Sequence, residues 1–353
     1  MGATGKWLLI LGIIALLSAI AFGFSIAAYG VKDGNYGITM FGKNLMEGVN
    51  LGGSSMVNAE ILFREGQTNI KYDFERSKDY SGSFDAEDLS DIKLELASCH
   101  ADIKCSDTDK VNITYTTGST PTNFAAELND GILTISEKMQ IGLFSFGSGI
   151  HSDLVLEVPE TVYNSVNVVL ASGKVLSDKI TSDKFNANVA SGSVEMGMYA
   201  EDMDINVASG KIIFTNCTDK EVDDIKLNAA SGSIEMNGFA AEDTKINIAS
   251  GSVLLNGISG KVVGELASGK LVLNYSKWND DLDIKLLSGK CDATLPAGSG
   301  ANVSLQRLSG NMSIDLDGNT TKLTGNTNDV TLGGSNVHKV NGDIASGSIN
   351  IHN

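Results

Sequence analysis

Apolar and polar residues alternate along most of this chain, and the alternation is punctuated by Ser-Gly. In Asp204-Ile205-Asn206-Val207-Ala208-Ser209-Gly210-Lys211-Ile212-Ile213-Phe214, apolar residues alternate before the dipeptide and again after it. A period of two puts such side chains on one face of a strand. Val207 and Ile212 are five apart, an odd number, so one straight strand would send them to opposite faces. The chain must turn at Ser209-Gly210. The same arithmetic applies to Val189 with Val194, Ile248 with Val253, Leu286 with Cys291, and, at a longer spacing, Leu227 with Ile234.

The turn recurs with glycine at Gly173, Gly192, Gly210, Gly232, Gly251, Gly269, Gly289, Gly310 and Gly347, preceded by Ala-Ser or Leu-Ser each time. From Ser172 to Ser309 the serines are 19, 18, 22, 19, 18, 20 and 21 residues apart. A sustained period near 19 is the mark of a repeat architecture. Glycine is expected at these corners because it enters positive φ at little cost. Two turns fit the pattern. One is a two-residue hairpin pairing Ala208 with Lys211, which would build an antiparallel hairpin-repeat sheet. The other is the corner of a solenoid whose coils stack through parallel ladders. Two-residue hairpins favour Asn-Gly or Asp-Gly, which no Ala-Ser-Gly site supplies. Stacking also explains small, near-identical corners, since each sits against its counterpart one coil away. The predicted fold is therefore all-β, a single elongated parallel β-solenoid of ~19-residue coils.

Residues 7–29, Trp7 to Tyr29, carry no charge. As a helix they would span about 34 Å, enough to cross a bilayer, with Lys6 as the positive inner flank. The expectation is one N-terminal transmembrane helix, the N-terminus in the cytoplasm and the repeats outside; a cleaved signal peptide ending near Ser25-Ile26-Ala27 is the alternative. The predicted layout is an anchor or signal peptide over 1–30, a flexible tether over 31–58 and a β-solenoid over 59–353. The solenoid divides into an N-terminal cap (59–93), irregular coils (94–164) and Ser-Gly coils (165–353). Alternation at Ile70, Tyr72 and Phe74 suggests a cap strand, and Gly142-Leu143-Phe144-Ser145-Phe146-Gly147 an apolar loop. Leu94 to Ile103 reads as the first repeat, with Cys99 in the glycine position. Ser98 and Ser172 are 74 residues apart, close to four periods. The polar stretch 317–340 departs from the repeat, and no apolar cap follows the last coil.

Composition limits the chemistry. Lys and Arg number 26 against 43 Asp and Glu, a net charge of −17 that argues against nucleic acid as a partner. Cys99, Cys105, Cys217 and Cys291 read as small buried hydrophobes rather than a disulfide framework. A Cys99–Cys105 bridge is the minority alternative, and a zinc site from Cys99, His100 and Cys105 lacks a fourth ligand nearby. The four histidines, His100, His151, His338 and His352, stand in no hydrolase or nucleophile motif. Asp202/Asp204, Asp281/Asp283 and Asp315/Asp317 form Asp-x-Asp pairs. The last, with Gly318, faintly resembles a calcium loop, but Asn326 stands where such a loop needs glutamate.

The Ala-Ser-Gly repeats, Asn129-Asp130-Gly131-Ile132-Leu133-Thr134-Ile135, Gly142 to Gly147, Leu156-Glu157-Val158-Pro159 and Leu295-Pro296-Ala297-Gly298 together resemble the putative-adhesin, β-strand-repeat domain of bacterial envelope proteins. The resemblance covers roughly 85–353. It implies a β-helix-like domain on a membrane anchor, and brings no catalytic residue, cofactor or metal. The expected function is a surface-exposed, adhesin-like binding or scaffolding module at the cell envelope. It is held in the membrane by residues 7–29, with a wall polymer, a glycan or an envelope protein as partner. An accessory role in an envelope-stress or signalling complex is the alternative. A polysaccharide lyase or hydrolase is disfavoured, because short connections leave little material for a cleft.

Overall fold

A computed structural model describes residues 79–118, 122–140 and 151–353, and backbone strands only within 29–47. The expected transmembrane helix, the strand at Ile70 to Phe74 and the loop Gly142 to Gly147 lie outside the described residues, as does most of the tether. Among the described residues there is no helix, so none is long and apolar enough to cross a membrane. They fall into two compact units, divided between Ala200 and Glu201.

In the C-terminal unit each coil is two strands meeting at a Ser-Gly corner. The strands before the corner pair in parallel, coil on coil. Asp202 to Val207 lies against Asp224 to Ala229, and Val222–Ala229 against Ala241–Ile248. Lys261–Leu266 and Leu282–Leu286 continue the ladder. The strands after the corner do the same through Lys211–Asn216, Ser233–Asn237, Ser252–Ile258, Lys270–Tyr275 and Lys290–Thr294. Strands on either side of Ser209-Gly210 thus pair with neighbouring coils in parallel, which excludes the hairpin repeat there. Inward positions are almost all apolar, with Thr244 an exception. Ile205, Val207, Ile212, Phe214, Leu227, Ile246, Leu271 and Ile284 are all essentially inaccessible. Outward asparagines form ladders of their own: Asn228 donates to Asn206 at 2.8 Å and Asn247 to Asn228 at 2.9 Å.

Coil order departs from chain order at both ends. Leu282–Leu286 is followed in space by Asn336–Ile344, and Ser299–Arg307 lies beyond it. Lys290–Thr294, Ser348–His352 and Asn311–Leu316 repeat that order. The last strands of the chain are therefore threaded one coil inward. The segment read as a departure from the repeat is ordered: Asn319–Leu323 and Thr327–Gly333 pair antiparallel onto the outermost coil. The N-terminal unit has the same construction. Asp91–Leu96 is sandwiched between Ile132–Gln140 and Val162–Leu170, both parallel to it. Val166 pairs directly with Ile92, so the 74 residues from Ser98 to Ser172 are not four stacked coils. They make one outer coil and its cap. Thr122–Asn129 covers Ile132–Gln140, and Lys110–Thr116 covers Ser152–Pro159, both antiparallel. Tyr80–Asp85 then covers Lys110–Thr116.

Each end thus replaces a bare parallel edge with antiparallel strands, and bare edges invite pairing with other chains. One hairpin in each cap turns on Asp-Gly. Asp130 (φ 48°) with Gly131 (φ 76°), and Asp317 (φ 53°) with Gly318 (φ 75°), are type I′ turns. The chemistry that argued against hairpins at Ser-Gly is used where hairpins occur.

Candidate functional site

The Ser-Gly corners form a ridge along the C-terminal unit. Its order in space is Ser209, Ser231, Ser250, Ser268, Ser288, Ser346, Ser309, with every one of these serines exposed. The backbone stacks by repetition: the N–H of Ser250 donates to the Ala230 carbonyl at 2.7 Å, that of Ser268 to Ala249 at 2.8 Å, and that of Ser288 to Ala267 at 2.7 Å. The glycines behind the serines stand on one another. A Cβ on Gly251 would lie 2.4 Å from the Gly232 carbonyl oxygen, one on Gly269 2.4 Å from that of Gly251, and one on Gly347 2.2 Å from that of Gly289. Close approach of neighbouring backbones therefore demands glycine here. Positive φ does not: Gly192, Gly232, Gly251, Gly269, Gly289, Gly310 and Gly347 lie outside the left-handed region, and of the predicted corner glycines only Gly173, at φ 100°, lies within it. Gly173 packs on the backbone of Cys99, the residue that takes the glycine position one coil away.

The residue after each glycine forms a second column. Parallel register stacks Lys211 on Ser233, Ser233 on Ser252, Ser252 on Lys270 and Lys270 on Lys290. Ser348 and Asn311 complete it. No carboxylate occupies the four positions from Ala or Leu through this residue at any of these seven corners. At the far end of the strands before the corner the charge is opposite. Asp202, Asp224 and Asp243 stack in register, flanked by exposed Glu201, Asp223 and Glu242. In the next coil Lys261 takes this place, in register with Asp243.

The N-terminal unit holds a buried carboxylate that sequence reasoning passed over. Glu137 is fully inaccessible and sits at the inward position where the paired coil has Leu96. It accepts from the backbone N–H of Ser98 at 2.8 Å, from the Tyr115 hydroxyl at 3.0 Å and from the Ser152 hydroxyl. Elsewhere the corner serine's N–H finds a carbonyl one coil away, as Ser172 finds Ala97 at 2.9 Å. Here a carboxylate supplies that acceptor. The signal was present: Glu137 continues the inward alternation of Leu133 and Ile135. Burial, with Glu137 next in effect, pushes the Cys99 thiol well above its ordinary range, so it rests as an inert buried thiol.

Nearby, the Ser98 hydroxyl lies 3.0 Å from His151 Nδ1, whose ring stacks on His100 at 4.6 Å. The same Nδ1 also lies 3.1 Å from the Ser98 carbonyl oxygen, so the Ser98 hydroxyl shares that nitrogen with a competing acceptor.

The cysteines are all free, so no Cys99–Cys105 bridge exists. His100 alternates with the inward-facing Cys99 on one strand, so the two point to opposite faces. Among the described residues no group of three His, Cys, Asp or Glu side chains is placed to hold a metal ion. Members of the three Asp-x-Asp pairs serve as local acceptors, Asp204 taking the Asn206 amide at 3.0 Å. Asp281 takes the Lys339 N–H at 2.8 Å and Asp283 the Asn341 amide at 2.5 Å. Asp315 takes the Thr320 hydroxyl at 2.7 Å and Asp317 the Asn353 amide at 3.1 Å, so the segment compared with a calcium loop is a hairpin.

The Toastrack DUF4097 family model matches residues 89–352. No curated protein matches the chain. Solved structures similar to it include a putative adhesin from Parabacteroides distasonis ATCC 8503, 14% identical, covering 78% of this chain and 97% of that one at a TM-score of 0.46. A putative lipid binding protein from the same organism is 17% identical, covering 77% and 96% at 0.47. A putative adhesin from Parabacteroides merdae ATCC 43184 is 13% identical, covering 78% and 96% at 0.39.

Proposed function

The chain belongs to the Toastrack DUF4097 family, and from that premise we propose that it acts by binding rather than catalysis, as an adhesin-like module at a bacterial cell envelope. The observation that carries the reading is the column of exposed corner serines, one at every coil along the C-terminal unit, with a second column of Lys, Ser and Asn beside it. Such a repeat suits an extended partner, because each coil offers the same contact and weak contacts add along a line. A single reacting bond needs convergent groups instead, and at Ser98 the hydroxyl shares the His151 nitrogen with a competing acceptor. In this proposal residues 7–29 cross the membrane once, with the N-terminus in the cytoplasm and the repeats outside.

Full-length protein in detergent micelles should co-sediment with purified insoluble wall material, or bind members of a panel of wall polymers and glycans. Binding to neither would remove the module reading. Protease added to intact, wall-stripped cells should digest the repeats, and complete protection would reverse the proposed orientation.

A further inference from the structure

We propose that the Ser-Gly corner of the C-terminal unit is a docking ridge for a linear phosphate-bearing polymer, its contacts made by Lys211, Lys270 and Lys290 and the serines between them. The proposal rests on the binding-module reading and assigns it a surface and a ligand chemistry. Among 353 residues, 43 are Asp or Glu, yet the seven corners from Ala208 to Asn311 contain none. Steric crowding accounts for Ala, Ser and Gly at the first three positions, where neighbouring backbones touch. It does not account for the fourth, which is open enough to hold lysine. Avoidance of stacked like charge does not account for it either, because Lys270 and Lys290 stack in register.

Lys211, Lys270 and Lys290 are exposed, and among the described residues none has a carboxylate within ion-pair distance. Other lysines of the unit do: Lys277 holds Glu221 at 3.0 Å and Lys285 holds Glu265 at 2.7 Å. The carboxylates nearest the ridge stand one outward position away on either side of the corner, Glu235 and Asp292 after it and Glu265 and Asp343 before it; Asp292 is engaged by His352 at 3.1 Å and Glu265 by Lys285 at 2.7 Å. The acidic array at Asp202, Asp224 and Asp243 lies seven residues of strand from the corner, about 23 Å. That is beyond two Debye lengths at physiological salt, each ~8 Å, so the overall acidity does not cancel the ridge locally. Seven coils at ~4.8 Å give a track of roughly 29 Å. The donors stand exposed in one line, so the fitting polymer carries its charge along its backbone, as phosphate polymers do. Lysine ammonium and serine hydroxyl groups both donate to phosphate oxygens.

The test uses full-length protein in detergent micelles and fluorescently labelled long-chain inorganic polyphosphate, followed by anisotropy against salt. The variant K211S/K270S/K290S places in the column the serine already present at positions 233, 252 and 348. Its control, K226S/K245S/K322S, removes three exposed lysines elsewhere in the unit. We expect the ridge variant to weaken binding roughly tenfold or more and to flatten the slope of log affinity against log salt by about 2–3, with the control within about twofold of the parent. Equal weakening by both variants, no polyphosphate binding by the parent, or equally potent displacement by polyglutamate would each overturn the ridge. If wall material still sediments the ridge variant like the parent, the module reading stands and only this surface falls. If wall material and the glycan panel bind neither protein, the module reading itself falls.

Discussion

Replacing Gly251 by alanine isolates what the corner glycines are for. The added Cβ would lie 2.4 Å from the Gly232 carbonyl oxygen, 3.1 Å from the Ala229 Cβ and 3.3 Å from the Gly232 nitrogen. That oxygen also accepts the Ser252 N–H at 3.0 Å. A carbon and an oxygen settle at roughly 3.3 Å or more, so the two coils must part by most of an ångström. The movement stretches a ladder bond worth about 0.5–1.5 kcal/mol net, and overpacking adds about 1–3 kcal/mol. A loss of roughly 2–4 kcal/mol corresponds to a fall in melting midpoint of about 5–15 °C for a unit of this size. Thermal unfolding by circular dichroism, with limited proteolysis to locate the opening, reads both quantities. Gly251→Asn should be no better than alanine, because tolerance of left-handed backbone is irrelevant at this residue. Gly325→Ala, with nothing within 4 Å of the new carbon, should leave the midpoint unchanged. Gly318→Ala, also uncrowded but at φ 75°, should lose about 1–2 kcal/mol from backbone strain alone. A Gly251→Ala protein that melts with the parent would refute the close-approach account.

Glu137→Leu restores the apolar residue of the neighbouring coil but strands the Ser98 N–H and the Ser152 hydroxyl and removes an acceptor from the Tyr115 hydroxyl. It should cost about 2–4 kcal/mol, with early proteolysis around the outer coil, and a neutral result in denaturant melts would contradict the capping role. Burial, reinforced by Asp283 and opposed by Lys285, raises the Asp343 carboxyl above its ordinary 3.8. A raised folded value favours the protonated form, so Asp343 costs stability at neutral pH and ceases to cost it as pH falls below 3.8. Asp343→Asn should therefore melt above the parent at pH 7, with the gap closing through the acid range, and a gap that widens on acidification would be inconsistent with this. Deleting 336–353 removes the coil that seats the outermost one, so amides of Ser299–Arg307 and Asn311–Leu316 should exchange much faster. Unchanged protection would show that the threaded coil does not support its neighbour.

The period-two alternation, the odd spacing across Ser-Gly and the 19-residue repeat determined a great deal without coordinates. They gave strands, corners, the inward residues such as Val207, Ile212 and Ile248, and the stacking of small corners on their counterparts. All of these depend on neighbours close in sequence or one repeat away, and a repeat states such a neighbour many times over. The tertiary structure alone decided which coil lies next to which at the ends. Val166 pairing with Ile92, and Val340 seated against Leu282, are single long-range choices. They are made because a threaded end leaves the outermost coil free to continue into antiparallel caps. The same holds for chemistry. A glutamate at position 137 reads as a break in an apolar strand until Ser98, Tyr115 and Ser152 converge on it. Glycine at the corners is legible from one chain, but its reason is not: crowding by the next coil's carbonyl oxygen belongs to the stack, whereas positive φ would have belonged to the residue itself.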